Sequence, residues 1–377
     1  MTAPCGGRAR ASSGRAGMTS RERVLSTLAG RAIDRTPRLL YEEAIGYTPP
    51  IERLLREKCA PKTPRDYFDM DITSVTAEPS RLPRSRFAEW LGPSADEALA
   101  SGQVDEWGVW WRAGTFHHFA QVESPLRGIR ELGRLREYPW PDLEQGYRFR
   151  GVRRRVAELH AQGLAVAAFA GSVFEQSWYI RGLEDLMLDL VAAPEVAHYF
   201  FEHTAALQRF AAEQFARAGV DIIITGDDVA GQQGLLMSPE TWRKFLKPRL
   251  ADTAQTVKRA NAGSYVFYHS DGNIEPLIPE LIEIGIDILN PIQPECMDPA
   301  AIKQRYGDRL SFWGTVSVQR TMPFGTPDQV RAEVRARIRE VGRGGGLILA
   351  PAHVLGPETP WENIVAFFEA ADEMTHG

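Results

Sequence analysis

The sequence predicts a (β/α)8 barrel, in which eight parallel strands form a ring and helices cover its outside. Eight short apolar runs are strand candidates, and after Asp142 such runs alternate regularly with helical segments. The length of 377 residues suits one barrel domain. A doubly wound open sheet is the weaker alternative, because no GxGxxG follows an early strand and there is no P-loop.

The strands and helices follow from apolar runs, caps and breakers. The first helix is predicted to begin at Thr19 or Ser20, with Glu22 in its first turn, and to stop at Gly30. The strands are predicted at 37–42, 71–76, 164–170, 220–225, 264–269, 286–290, 310–315 and 346–350. Later helices are predicted at 49–58, 148–162, 182–217, 239–261, 275–284, 299–305, 327–341 and 360–371.

One barrel domain is predicted over residues 18–377, preceded by a flexible tail at 1–17 that is rich in Gly, Ala, Ser and Arg. Met18 is an alternative start. Residues 78–142 interrupt the pattern between strands 2 and 3, where VDEWGVWWRAGTFHHFAQV suggests an inserted hairpin laid over the barrel. Long insertions of this kind usually cover or narrow a site. Its tryptophans, Trp107, Trp110 and Trp111, are expected to form a small satellite core.

Polar residues follow most of the predicted strands, where a barrel places its active site. Several of these residues also have a purely structural interpretation. Asp227 and Asp228 could form a turn and a helix cap, and Glu42 and Glu43 could be solvated or paired with arginine. The candidate site residues are Tyr41, Glu42, Glu43, Glu175, Tyr179, Asp227, Asp228, His269, Asp271, Gln293, Glu295, Thr315 and His353.

His269, Asp271 and His353 form the sharpest candidate site. His269 and Asp271 are two residues apart at one strand exit, and His353 follows the last strand. Two imidazoles and a carboxylate suit Zn²⁺, or Fe²⁺ or Mn²⁺ with open positions, or else acid/base chemistry. If His269 and His353 share zinc, their nitrogens should lie roughly 3 to 4 Å apart. Iron oxygenases use a similar His-x-Asp spacing, but they are all-β proteins.

Composition excludes several classes of protein. The net charge is −5, and the arginine-rich pieces at 81–86 and 150–155 are short and mixed, so we expect no nucleic-acid partner. No apolar run approaches the roughly 20 residues that cross a bilayer, and the N-terminus has no hydrophobic signal core. Three scattered cysteines do not make a disulfide framework, which favours the cytoplasm.

Six segments resemble the uroporphyrinogen decarboxylase superfamily, which includes cobalamin-linked methyltransferases. They are TSRERVLSTLAGRAIDRTP, GSVFEQSWYIRG, GVDIIITGDDVAG, LMSPETWRKFLKPRL, HSDGNIEPLIPELIEIGIDILNPIQ and GGGLILAPAHVLGPETPWENI. The resemblance covers nearly the whole chain from Met18 except the insertion. It implies a (β/α)8 barrel enzyme, and a homodimer.

The resemblance to the decarboxylases is incomplete. Tyr179 and His353 match the family's tyrosine and late histidine, and Asp228 stands where the family has serine. The family's arginine-rich loop after strand 1 binds the substrate carboxylates, but this chain has the acidic YEEAIGY there. Glu42 and Glu43 would repel a tetrapyrrole with eight carboxylates.

The resemblance to the methyltransferases is also incomplete. Their His-x-Cys-Gly zinc motif corresponds to His269-Ser270-Asp271-Gly272, with Asp271 in place of cysteine, and His353 stands near their second cysteine. Such a set implies a harder, less thiophilic zinc site.

The function expected from these features is metal-dependent methyl transfer on a small polar molecule, with a possible corrinoid carrier or corrinoid protein partner. His269, Asp271 and His353 are the expected metal ligands, with Zn²⁺ the preferred metal. Asp228, Tyr179, Glu175 and His353 are the expected catalytic residues, and Tyr41, Glu42, Gln293, Glu295 and Thr315 the substrate-binding ones. The alternatives are a metal-free decarboxylase, in which Asp228, Tyr179 and His353 stabilise charge, and a non-catalytic barrel that binds a tetrapyrrole or corrinoid.

Overall fold

The computed structural model describes residues 17–40, 47–113 and 120–374. Within them the strands are β1 (Ile72–Ser74), β2 (Trp110–Ala113), β3 (Ala120–Glu123), β4 (Ala165–Gly171), β5 (Ile222–Gly226), β6 (Ala230–Gly231), β7 (Gly234–Leu235), β8 (Tyr265–His269), β9 (Ile288–Asn290), β10 (Ser311–Trp313) and β11 (Leu347–Ile348). Seven of these strands form one parallel sheet in the order β1-β4-β5-β8-β9-β10-β11.

The first predicted strand joins the two edges of this sheet. Arg38 forms a parallel bridge with Leu349, just beyond β11, and the Leu39 N–H donates to the Leu349 carbonyl at 3.1 Å. On its other side the Arg38 carbonyl accepts from the Asp71 N–H at 3.0 Å, next to β1. The predicted strand at 37–42 is therefore present as a short bridge at Arg38, and its last two residues lie outside the described part of the chain.

Helices alternate with the barrel strands, which confirms the predicted fold class. In the described residues the helices are α1 (Ser20–Leu28), α2 (Pro49–Cys59), α3 (Pro64–Phe68), α4 (Ala95–Ser101), α5 (Leu132–Leu135), α6 (Val152–Ala161), α7 (Phe174–Arg181), α8 (Leu183–Ala192), α9 (Pro194–Ala218), α10 (Pro239–Phe245), α11 (Lys247–Ala260), α12 (Ile278–Glu283), α13 (Pro299–Tyr306), α14 (Thr321–Phe324), α15 (Pro327–Glu340) and α16 (Trp361–Glu373). Short 3-10 helices occupy Arg84–Trp90, Gly92–Ser94, Gly146–Phe149 and Glu275–Leu277. Thr19 caps α1 in a capping box with Glu22, as its sequence predicts.

Alternation along the strands sorts side chains between the inside of the barrel and its helical coat. Ile222, Ile224 and Phe267 pack in one buried cluster, whereas Ile223, Val266 and Tyr268, on the opposite side of the same strands, pack in another. Since strand side chains alternate with a period of two, the residue two positions after Phe267 also points inward. That residue is His269, at the carboxyl end of β8.

The chain between β1 and β4 contributes to a small core that it shares with Ile180 of α7 and with Val196 and Phe200 of α9. β2 and β3 pair in antiparallel fashion, from Trp110 opposite Glu123 to Ala113 opposite Ala120. Trp110 is buried in this core, and Trp107 and Trp111 pack against it. The predicted insertion boundaries, 78–142, remain a prediction. None of the helices in the described ranges has the length and apolarity needed to cross a membrane.

Candidate functional site

His269, Asp271 and His353 meet at the carboxyl ends of β8 and β11. The Asp271 carboxylate lies between the two imidazoles, with Oδ1 4.0 Å from the His269 Nε2 and Oδ2 3.7 Å from the His353 Nε2. One ligand atom from each residue can be chosen so that all three lie within 4.8 Å of one another. This upper limit is somewhat wider than the roughly 3 to 4 Å expected between zinc ligands, so a metal site shared by the three residues stays a prediction.

The turn after β8 places the Asp271 side chain. Gly272 has a φ of +84°, and a Cβ there would collide with the Gly231 carbonyl oxygen. The Gly272 N–H donates to Gln293 Oε1 at 3.1 Å, and the Asp271 N–H donates to Asp228 Oδ1 at 2.7 Å. Asp271 is therefore held by its backbone while its carboxylate remains directed toward the histidines.

Asp227 and Asp228 are adjacent but have different roles. Asp227 Oδ1 accepts from the N–H groups of Val173, Phe174 and Glu175, at 2.8, 2.5 and 3.2 Å, and so caps the start of α7. Asp228 instead lies with Oδ1 3.5 Å from the His269 Nε2. Asp227 therefore caps a helix, but this is α7 and not a helix that follows it in the chain as the sequence interpretation supposed, while Asp228 faces the site.

Glu175 and Tyr179 lie one turn apart on α7, and the Tyr179 hydroxyl donates to Glu175 Oε1 at 3.1 Å. Burial, followed by the negative charge of Asp228, raises the pKa of Glu175 to about 7. Burial and the Glu175 carboxylate also raise the pKa of Tyr179. A carboxyl group with a pKa near neutrality can both accept and donate a proton at physiological pH.

Charge around His269 favours its protonated form. Burial is the largest influence and lowers the pKa, but the Asp228 and Asp271 carboxylates outweigh it and raise the pKa of His269 to about 9. A metal ion binding at Nε2 would therefore displace a proton.

Replacing Glu175 by glutamine is expected to change how stability depends on pH. The pKa of Glu175 is about 7 in the folded protein, against an ordinary value of 4.5. Because the folded protein binds a proton that the unfolded chain releases, this residue should lower the free energy of unfolding as pH rises through that interval, by up to about 3 kcal/mol. Urea unfolding of metal-free protein at pH 5 and pH 8 measures this slope, which Glu175→Gln should reduce. Glu97→Gln, at an exposed position, is the control, and an equal slope in both variants would contradict the prediction.

A cavity of about 400 Å³ adjoins two of the three metal-ligand candidates, Asp271 and His353. Its lining also includes Gln293, Gln319, Phe324 and Glu358. This volume is at the small end of ligand pockets, which fits a small molecule.

The remaining residues predicted from the sequence do not line this cavity or lie outside the described part of the chain. The Glu295 side chain is buried and accepts a hydrogen bond from the Ser317 hydroxyl, and Thr315 is fully buried. Neither belongs to the lining of the 400 Å³ cavity. Tyr41, Glu42 and Glu43 lie outside the described residues. Within the small core, the Trp111 ring contacts the Tyr179 ring, with centroids 4.9 Å apart.

Asn290 is a site residue that the sequence reasoning missed. Its Oδ1 lies 2.6 Å from the His269 Nδ1, and its Nδ2 donates to the Trp313 carbonyl at 2.8 Å. It ends β9 as His269 ends β8. The rule that polar residues at strand exits are site candidates would have identified it.

Known proteins resemble this chain in a family model, in the sequences of relatives and in a solved structure. The family model described as uroporphyrinogen decarboxylase (URO-D) matches residues 109–374. A methylcobamide:CoM methyltransferase of Methanosarcina barkeri is 32% identical over 162 residues, covering 43% of this chain and 44% of the relative. The chain thus spans less than half the length of that relative. A uroporphyrinogen decarboxylase of Coxiella burnetii is 23% identical over 372 residues, covering 94% of this chain and 95% of the relative.

Among solved structures, a methyltransferase from Methanosarcina mazei has the same fold. The TM-score is 0.65 at 20% identity, with 94% of this chain and 99% of the other chain covered. The relatives are enzymes of two classes, decarboxylases and methyltransferases. Because the family model covers well over half of the sequence, the chain belongs to the uroporphyrinogen decarboxylase (URO-D) family.

Proposed function

We propose that this protein is a metal-dependent methyltransferase that acts on a small polar molecule. The observation that carries the proposal is the convergence of His269, Asp271 and His353 within 4.8 Å, beside a cavity of about 400 Å³. These three residues would hold the metal, preferably Zn²⁺, whose ordinary ligands are imidazole nitrogen and carboxylate oxygen. Bound there, zinc would supply Lewis acidity to a substrate oxygen, nitrogen or sulfur atom.

The chain's own side chains would bind the substrate and move its protons. Gln293 and Gln319 line the cavity and offer neutral hydrogen-bonding groups to a substrate. Glu175, with a pKa near 7 and a hydrogen bond from Tyr179, is suited to exchange a proton with the group that gains or loses a methyl. Asp228 would hold the Asp271 backbone by accepting its N–H, and its negative charge near His269 would favour the protonated imidazole.

The charges at the barrel mouth favour a substrate without negative charge. The segments 227–238, 270–277, 291–298 and 351–360 follow four barrel strands and contain no lysine or arginine. They do contain seven carboxylates, at Asp227, Asp228, Asp271, Glu275, Glu295, Asp298 and Glu358. Glu275 is paired with Arg305, and Glu295 lies 4.0 Å from Arg320, so the negative charge that an anion would meet is that of Asp228, Asp271 and Glu358.

A corrinoid protein is the proposed methyl-transfer partner, because the Methanosarcina barkeri relative is named as a methylcobamide:CoM methyltransferase. A cytoplasmic location and a homodimer are part of the same proposal.

Decarboxylation of a carboxylated ring is the second candidate function. It is favoured by the Coxiella burnetii relative, which matches 94% of this chain. Asp228, Tyr179 and His353 would then stabilise developing charge without a metal. The carboxylates at the barrel mouth argue against it, since a ring with several carboxylates needs cationic partners.

Metal analysis combined with two assays is expected to separate the two functions. Protein purified without chelator should contain about one zinc per chain, and should form no coproporphyrinogen from uroporphyrinogen by chromatography. A methyl-transfer assay should use methylcobalamin as the methyl donor and a small uncharged thiol as the acceptor, under anaerobic conditions. The readouts are the change of the visible spectrum from methylcobalamin to cob(I)alamin and the formation of the methyl thioether. Coproporphyrinogen formation by chelator-treated protein would instead support the decarboxylase.

A further inference from the structure

Asn290 connects the His269 ring to the backbone of the barrel. His269, Asn290 and Trp313 end β8, β9 and β10, which are neighbouring strands of the sheet. The Asn290 side chain is fully buried and bonds to the His269 Nδ1 at 2.6 Å and to the Trp313 carbonyl at 2.8 Å. Each strand thus supplies one member of a short chain of hydrogen bonds.

The chemistry of the amide fixes the direction of these bonds. A carbonyl oxygen only accepts, so the Asn290 NH2 must face Trp313 and its Oδ1 must face His269. Because an amide oxygen also only accepts, the His269 Nδ1 must carry the hydrogen that it donates. The other ring nitrogen, Nε2, then lies toward Asp228 and Asp271, at 3.5 and 4.0 Å.

We propose that Asn290 is a positioning residue that holds His269 as the Nδ1–H tautomer and so presents Nε2 to a metal ion. The tautomer itself follows from the hydrogen bonds alone, whereas its role in metal binding rests on the proposed function. Outer partners of this kind orient ligating histidines and typically contribute about 10- to 100-fold to metal affinity.

The neutral amide suits this position better than the carboxylate that often supports a metal-binding histidine. The carboxyl groups of Glu175, Asp228 and Asp271 already supply negative charge near the His269 ring. An aspartate at position 290 would add a further negative charge. One of its carboxylate oxygens would also face the Trp313 carbonyl oxygen, and the two oxygens would repel each other.

Asn290→Ala tests the proposal, and Asn363→Ala is a matched control. Asn363 is also buried and donates to the Met322 and Gly325 carbonyls at 2.8 Å, and none of the histidines in the described ranges is bonded to it. Both variants remove a buried amide that binds backbone carbonyls, so both should lower the Tm. Zinc affinity is measured by competition with a chromophoric chelator. The His269 tautomer is read from long-range 1H–15N spectra of metal-free protein with labelled histidines, above pH 9, and assigned with His269→Gln.

Asn290→Ala should weaken zinc binding by about 10- to 100-fold and give a mixture of His269 tautomers. Asn363→Ala should leave zinc affinity within about twofold and the tautomer unchanged. An unchanged tautomer in Asn290→Ala, or an equal loss of zinc affinity in both variants, would overturn the proposal. If the wild-type protein binds no zinc, the proposed function fails, yet the tautomer measurement still decides whether Asn290 positions His269.

Discussion

His269→Ala is expected to abolish stoichiometric zinc binding while the barrel stays folded. The substitution removes one of three converging ligands, and the two that remain cannot hold the ion at a closed protein site. The loss of affinity should exceed the roughly 100-fold that an outer partner contributes at most. Elemental analysis after gel filtration, together with chelator competition, measures the effect, and circular dichroism reports the fold.

His198→Ala provides the control for general loss of histidine. His198 lies on α9, packs against Phe245 with ring centroids 4.7 Å apart and is bonded to Arg249. That variant should keep one zinc per chain. Full zinc content in His269→Ala would show that His269 is not a ligand and would remove the central support for the metal-dependent reaction.

Asp271→Cys is expected to shift the metal preference toward thiophilic ions. Asp271 stands between His269 and His353, and its backbone is held by its own N–H bond to Asp228 and by that of Gly272 to Gln293. A thiolate at this position would therefore stay directed toward the two histidines. Thiolates prefer soft metals and carboxylates prefer hard ones. The ratio of Cd²⁺ to Zn²⁺ affinity should rise at least tenfold, an order-of-magnitude expectation from ligand softness.

Absorption spectroscopy makes this change directly visible. The Co²⁺-loaded variant should gain a sulfur-to-metal charge-transfer band that the wild type lacks. Asp271→Ser, which offers no comparable ligand, should lose affinity for both ions. The measurement needs reducing conditions, because Cys296 is close enough to Asp271 for that carboxylate to raise the pKa of its thiol, after burial and Glu295. Unchanged selectivity and no new band in Asp271→Cys would exclude residue 271 as a ligand.

The barrel could be predicted from sequence because its signals are local. Apolar runs such as VDIIITGDD reflect strands buried on both faces, and the structure places β5 and β8 within the predicted spans of 220–225 and 264–269 to within a residue or two. Thr19 and Glu22 likewise predict the start of α1 because a capping box needs only four consecutive residues. The first strand was harder, since only Arg38 bridges to Leu349 in the described residues.

The residues of the candidate site were identified from sequence by their position after strands, but their roles depend on contacts between distant segments. Asp227 and Asp228 are indistinguishable in sequence, and only packing assigns Asp227 to the α7 N-terminus and Asp228 to the site. The near-neutral pKa of Glu175 likewise arises from burial and from Asp228, more than fifty residues away in the chain.

By itself, the sequence determined the barrel class and indicated three residues that could bind a metal. Both can be read from short segments, because strand periodicity and residue type are local properties of the sequence. The tertiary structure decided which nitrogen of His269 faces the site. That choice depends on Asn290 and on the Trp313 carbonyl, which lie 21 and 44 positions beyond His269 and reach it only when neighbouring strands pair.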